Sequence, residues 1–160
     1  LSGKLYPPEQ MTAVYERLGR FGLPLYMTEI TVNSTGEDGP ARQGEVVANL
    51  YRLWFSTPAM AGVTWWNLGD GTAFGNENKA LGGLMDENMD PKPAYQALDR
   101  LINHDWKTNL STKTGAQGQA QFRGFYGQYT VEVASGGQTR QFEINLAHKG
   151  PSQFKLTFKP

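Results

Sequence analysis

Apolar positions follow two different rhythms along this chain, and the change falls near residue 105. In the first stretch Pro7 and Pro8 open a helix, because proline is tolerated in a first turn. Met11, Val14, Leu18 and Phe21 follow at three- and four-residue spacing, an amphipathic stripe. Gly22 stops it and Pro24 forbids its return. Residues 25–32 form a short apolar and β-branched run with little polar alternation, the mark of a strand buried on both faces. A Gly/Asp/Ser loop covers 33–40. A second helix is expected over 41–56, with Val47, Leu50, Leu53 and Trp54 on one face and Pro58 beyond its end. Residues 62–68 read as a second buried strand, 69–83 as a glycine-rich loop, and 93 to about 103 as a third helix carrying Ala94, Ala97, Leu98, Leu101 and Ile102.

Helices and strands alternating through short connections predict a parallel α/β fold. Two doubly buried strands do not make a stable parallel sheet, so they expect neighbours that this sequence does not supply. After residue 105 the period becomes two. Tyr129, Val131 and Val133 alternate with polar or small residues, as do Phe142, Ile144 and Leu146, and Phe154, Leu156 and Phe158. Ser135-Gly136-Gly137-Gln138 reads as a hairpin turn. Residues 106–111 and 121–125 are further strand candidates. The division is therefore a 1–104 α/β part and a 105–160 antiparallel, β-sandwich-like module with one buried face.

Composition narrows the function. Fifteen basic residues balance fifteen acidic ones among 160, which speaks against a nucleic-acid or anionic-membrane partner. The absence of cysteine removes disulfides, thiolate metal sites and cysteine nucleophiles. His104 and His148 lack metal-ligand spacing, no phosphate-binding glycine loop is present, and no cofactor is implied.

Two places carry candidate chemistry. Glu29 lies near the end of the first strand, between apolar neighbours and a polar loop. In barrels of alternating strands and helices, residues at the C-terminal strand ends line the active site, and a carboxylate in a buried strand needs a partner or a purpose. A structural ion pair is the competing explanation. Trp65 and Trp66 end the second strand, where alternation sends one indole toward the helices and the other toward the cleft. A tryptophan edged by Asn67 and Asp70 offers a flat face with hydrogen-bonding groups at its rim, a combination suited to sugars; a packed core pair is the alternative.

These residues resemble glycoside hydrolase family 10, the retaining endo-β-1,4-xylanases. Residues 22–29 are similar to the family's seventh barrel strand, which presents the nucleophile. Residues 62–71 are similar to its eighth strand, and 84–95, ending Asp90-Pro91-Lys92-Pro93-Ala94-Tyr95, to the segment before its last helix. The likeness covers about residues 1–104 and keeps the family's order. It implies the C-terminal part of a (β/α)8 TIM barrel, with Glu29 as nucleophile, Trp66 walling the sugar subsite beside the scissile bond, and Asn67 and Phe74 as further substrate contacts. Ile30 and Thr31 stand where the family usually has Leu-Asp, and Phe74 and Gly75 where it often places tryptophan and arginine.

The resemblance also implies what must come from elsewhere. Retaining hydrolysis uses two carboxyls about 5–5.5 Å apart, and the family's acid/base glutamate belongs to an Asn-Glu motif on the fourth strand. Upstream of Glu29 there are only Glu9 and Glu16, both on a predicted helix. The expectation is a polysaccharide-cleaving enzyme of the secreted or cell-surface kind, inactive as this chain alone. Its partners would be xylan or a related β-glycan and the N-terminal part of the same barrel, as a second chain or an upstream segment. The other reading is a non-catalytic carbohydrate-binding or scaffold protein that keeps the fold.

Overall fold

The computed structural model describes residues 6–157. Two units are present, Leu1–Asp105 and Trp106–Pro160. In the first, helix α1 (Pro8–Gly19) leads into strand β1 (Leu25–Ile30), helix α2 (Gly39–Phe55), strand β2 (Met60–Trp65) and helix α3 (Pro93–Arg100). Each helix carries proline in its first turn, where the missing N–H costs nothing. β1 and β2 pair in parallel, and two register irregularities interrupt the pairing. This is a partial TIM-barrel-like α/β segment whose barrel does not close within the chain.

The core lies between the sheet and the helices. Val47 of α2 packs with Leu84 and with Ala94 and Leu98 of α3. Ile30, Leu50 and Trp54 form an adjoining cluster, and Trp65 touches both. The Trp54 indole donates to the Tyr15 hydroxyl at 3.0 Å, tying α1 to α2.

Three expectations are corrected here. The strands are covered on one face only: Met27 and Val63 pack on the helices, while Tyr26 is 63% exposed and Thr28 also faces outward. The other face has no cover because two strands cannot wrap around on themselves. α1 docks through Met11 and Tyr15, with Gly19 close to Ala59, so the packed row is i, i+4, i+8. Val14, Leu18 and Phe21, expected in that stripe, are exposed. α3 ends at Arg100 and widens into one π-helical turn over Leu101–Asp105, which buries Leu101 and leaves Ile102 46% exposed.

In the second unit, strands β3 (Gly127–Ser135) and β4 (Gln138–Leu146) form one antiparallel hairpin in continuous register, from Ser135↔Gln138 to Gly127↔Leu146. Gly136 and Gly137 both have positive φ, 57° and 78°, as a two-residue turn matched to strand twist requires. The sandwich-like module expected from the sequence is thus reduced to a hairpin among the described residues. Residues 106–111, 121–125 and 154–157 are not strands, and Phe158 lies outside the described residues. A strand exists only with a partner for its backbone groups, and the first two of these segments meet β3 through side chains instead. The Tyr129 hydroxyl lies 3.1 Å from the Thr108 hydroxyl and donates to the Phe125 carbonyl at 2.5 Å.

Candidate active site

Glu29 sits where the parallel pairing breaks. Met27 is opposite Val63 and Ile30 opposite Trp65, so Thr28 and Glu29 occupy β1 against Thr64 alone on β2. The extra residue is a β-bulge, a device that re-aims a side chain. Glu29 absorbs it with φ = 57°, a left-handed conformation that costs a non-glycine residue about 1–2 kcal/mol. Its side chain is exposed on the uncovered part of the sheet. The structural ion pair weighed against a functional role is not found there among the described residues.

The end of β2 divides the two tryptophans. Trp65 packs into the core and donates its indole N–H to the Gly82 carbonyl at 3.0 Å. Trp66, one residue past the strand, donates its backbone N–H to the Ile30 carbonyl at 3.1 Å and is 48% exposed. Its indole N–H is fixed by Glu77 Oε2 at 2.9 Å. Glu77 belongs to a short 3-10 turn, Gly75–Ala80, that begins just after Phe74. Phe74 itself is 94% exposed. An open depression of about 340 Å³ lies beside this turn, lined by Asn33, Thr35, Asn76, Glu77, Lys79 and Ala80. Asn67 is buried under the loop, its side-chain amide donating to the Gly69 carbonyl at 2.9 Å.

A buried clamp holds the loop that follows β2. Lys92 Nζ lies 2.8 Å and 3.0 Å from the two Asp70 oxygens, 2.9 Å from Ser34 Oγ and 2.7 Å from the Leu81 carbonyl. Asp70 Oδ1 also accepts the Gly83 N–H at 2.8 Å. Lysine and aspartate side chains are only 7% and 10% exposed, and the shared hydrogen bonds offset the cost of removing both charges from water. Gly83 must be glycine, because a Cβ there would strike the backbone of Gly69 and Asp70. Gln43, fully buried on α2, donates to the Val32 and Gly83 carbonyls at 2.9 and 3.1 Å. The loops after β1 and β2 are therefore fastened to each other and to the first turns of α2 and α3.

Glu29 and Trp66 stand within one rung of each other on the paired strand ends, and Phe74 is carried by the loop that the clamp fixes. Sequence reasoning missed Glu77, Lys92, Ser34 and Gln43. Lys92 was inside a recognised motif without a role, and an isolated lysine gives no sign of burial. Among the described residues no group of three or more His, Asp or Glu gathers as a metal site would require. The arrangement offers an exposed carboxylate in a strained position, Glu29, one rung from a half-exposed indole whose N–H is held by a second exposed carboxylate, Glu77.

Comparison with known proteins follows the same outline. The model of glycosyl hydrolase family 10 matches residues 2–100. The chain is 25% identical over 150 residues to the anti-sigma-I factor RsgI6 of Acetivibrio thermocellus, covering 93% of this chain and 19% of that protein. It is 29% identical over 122 residues to endo-1,4-beta-xylanase 2 of Arabidopsis thaliana, covering 75% of this chain and 10% of that one. Among solved structures, xylanase 10B of Thermotoga petrophila in complex with xylobiose superposes with a TM-score of 0.55 at 24% identity, over 62% of this chain and 33% of the xylanase. The chain thus spans less than a fifth of these curated relatives and a third of the xylanase structure.

Proposed function

Because the chain belongs to glycosyl hydrolase family 10, we propose that it supplies the nucleophile half of a retaining endo-β-1,4-xylanase site. Its two parallel strands would be the seventh and eighth of a (β/α)8 barrel, and residues 1–104 the barrel's C-terminal part. Glu29 attacks the anomeric carbon of a xylose unit, the glycosidic bond breaks, and the leaving oxygen takes a proton from a carboxylic acid on the remainder of the barrel. Water, deprotonated by that same carboxylate, then releases the sugar from Glu29, so the configuration is retained. Trp66 and Phe74 offer sugar-stacking faces. Asn67, with its amide engaged below the loop, shapes the turn on which Trp66 stands. Acting on a polymer too large to enter a cell, such an enzyme would work outside the cell or at its surface.

The observation that carries this reading is the Glu29 bulge. A left-handed, non-glycine residue in a strand costs stability, and here the strained residue is a carboxylate exposed at a strand end rather than one paired in the core. The test is Glu29→Gln in the protein assembled with the rest of its barrel. Gln keeps the shape and removes the nucleophile. The expected outcome is a kcat lowered by orders of magnitude with xylo-oligosaccharide affinity retained. Near-normal kcat would make Glu29 structural.

A second reading keeps the fold without the hydrolysis, the Glu29 site binding a β-glycan but not cleaving it; what supports it is the match over 93% of the chain to a protein that is not named as a hydrolase. Xylan binding by a wild-type protein that releases no reducing ends would select it.

A further inference from the structure

The second unit carries a site of its own. An open pocket of about 340 Å³ is lined by Trp106, Lys107, Phe125, Tyr126, Gln128 and Tyr129, with Thr108 and Asn109 among its other walls. Its size falls in the range of small-molecule sites, about 300–1,000 Å³. Two of these aromatics stand on the surface rather than in a core. Tyr126 is 64% exposed and Phe125 41%, while Ile144 is the one buried hydrophobic residue among the described part of the unit. The Tyr126 ring is steadied by an edge contact with His148, centroids 5.4 Å apart, and Tyr129 is fixed through its hydroxyl to Thr108 and Phe125. Flat rings held in place, with amide and hydroxyl groups between them, suit a ligand that is apolar on its faces and hydroxylated at its edge.

Charge adds a second constraint. Residues 106–160 contain seven Lys and Arg and two Glu, a net of +5, against eight basic and thirteen acidic residues in 1–105, a net of −5. The neutrality of the whole chain conceals this segregation. No Asp or Glu lines the pocket, and its one charged side chain, Lys107, is exposed. A cationic surface draws anionic ligands and repels cationic ones.

We propose that this pocket is a binding site, separate from the Glu29 cleft, for an acidic sugar chain, a β-glycan bearing uronic acid groups. The aromatic faces take the pyranose rings and Lys107 the carboxylate. The choice of a xylan-type ligand rests on the functional reading above, whereas the pocket and its charge do not. A nucleic acid is the competing anionic polymer, but the pocket holds a single cation where a phosphate backbone calls for several.

The experiment is affinity electrophoresis of the protein assembled with the rest of its barrel. The probes are glucuronoxylan, the same xylan after carboxyl reduction, and a single-stranded DNA. Lys107→Gln and Tyr126→Ala are compared with wild type, alongside hydrolysis of a short neutral xylo-oligosaccharide. Glucuronoxylan should retard the wild type most strongly. Carboxyl reduction, Lys107→Gln or Tyr126→Ala should each weaken that retardation about tenfold, the scale of one lost anchor residue, while hydrolysis of the short substrate is unchanged. Should Tyr126→Ala not fold, Lys107→Gln carries the test, since Lys107 is an exposed side chain. Equal retardation by native and reduced xylan, equal retardation of wild type and Lys107→Gln, or a preference for DNA would overturn the proposal. Absence of hydrolysis in wild type with these shifts intact would fault the enzymatic reading and leave the site standing.

Discussion

Glu29 combines a backbone cost with an exposed carboxylate. Its φ of 57° suits glycine better than glutamate. Glu29→Gly should therefore leave the fold as stable as before or stabilise it by up to about 1 kcal/mol while ending turnover. Thermal unfolding of the two proteins decides this, and a clear loss of stability would mean that the side chain holds the bulge together. The tryptophans divide the same way. Trp65→Ala removes packing from both core clusters and a hydrogen bond to Gly82, so it should cost about 3 kcal/mol or more. Trp66→Ala removes a half-exposed ring and should leave the melting temperature nearly unchanged while weakening xylo-oligosaccharide binding. The reverse pattern would place Trp65 in the cleft. Strand alternation was enough to assign the two indoles to opposite sides from the sequence. The bulge at Glu29 was not legible, because nothing in Met27-Thr28-Glu29-Ile30 marks a left-handed residue.

At the scale of elements, the site depends on loops held by buried polar groups. Lys92, Asp70, Ser34 and the Leu81 carbonyl converge on one ammonium. Asp70→Asn leaves that ammonium buried without its counter-charge, which costs about 3–5 kcal/mol. The expected result is a markedly lower denaturation midpoint, together with weaker substrate binding as the loop bearing Phe74 loosens. An unchanged midpoint would mean that the loop stands without the clamp. Helix positions were readable from periodicity and proline placement, within a few residues at each end. The docking face of α1 was not: Met11, Val14, Leu18 and Phe21 satisfy a helical stripe as well as Met11, Tyr15 and Gly19 do. Only the neighbours choose between them, with Tyr15 meeting the Trp54 indole and Gly19 allowing close approach to Ala59.

For the whole molecule, the sequence conveyed the parallel α/β pattern and the change of rhythm near residue 105, and the two units part at Asp105 and Trp106. It overstated the second unit, because period-two alternation marks residues able to form a strand but does not supply a partner; among the described residues of that unit, β3 and β4 alone pair. It also suggested strands buried on both faces, whereas one face is open. A complete barrel adds its remaining strands along the two free edges of this sheet and so encloses the open face on which Tyr26 and Thr28 stand.

The central claim is that Glu29 forms a covalent bond to the sugar during turnover. The most direct measurement is peptide mass spectrometry of the protein, assembled with the rest of its barrel, after reaction with a 2-deoxy-2-fluoro xylobioside carrying a good leaving group. Such a substrate slows release of the glycosyl-enzyme more than its formation. The account predicts one fluoroxylobiosyl group per molecule, on the peptide containing Glu29 and lost in Glu29→Gln. A label on another carboxylate, or none from a protein that still binds xylan, would contradict it.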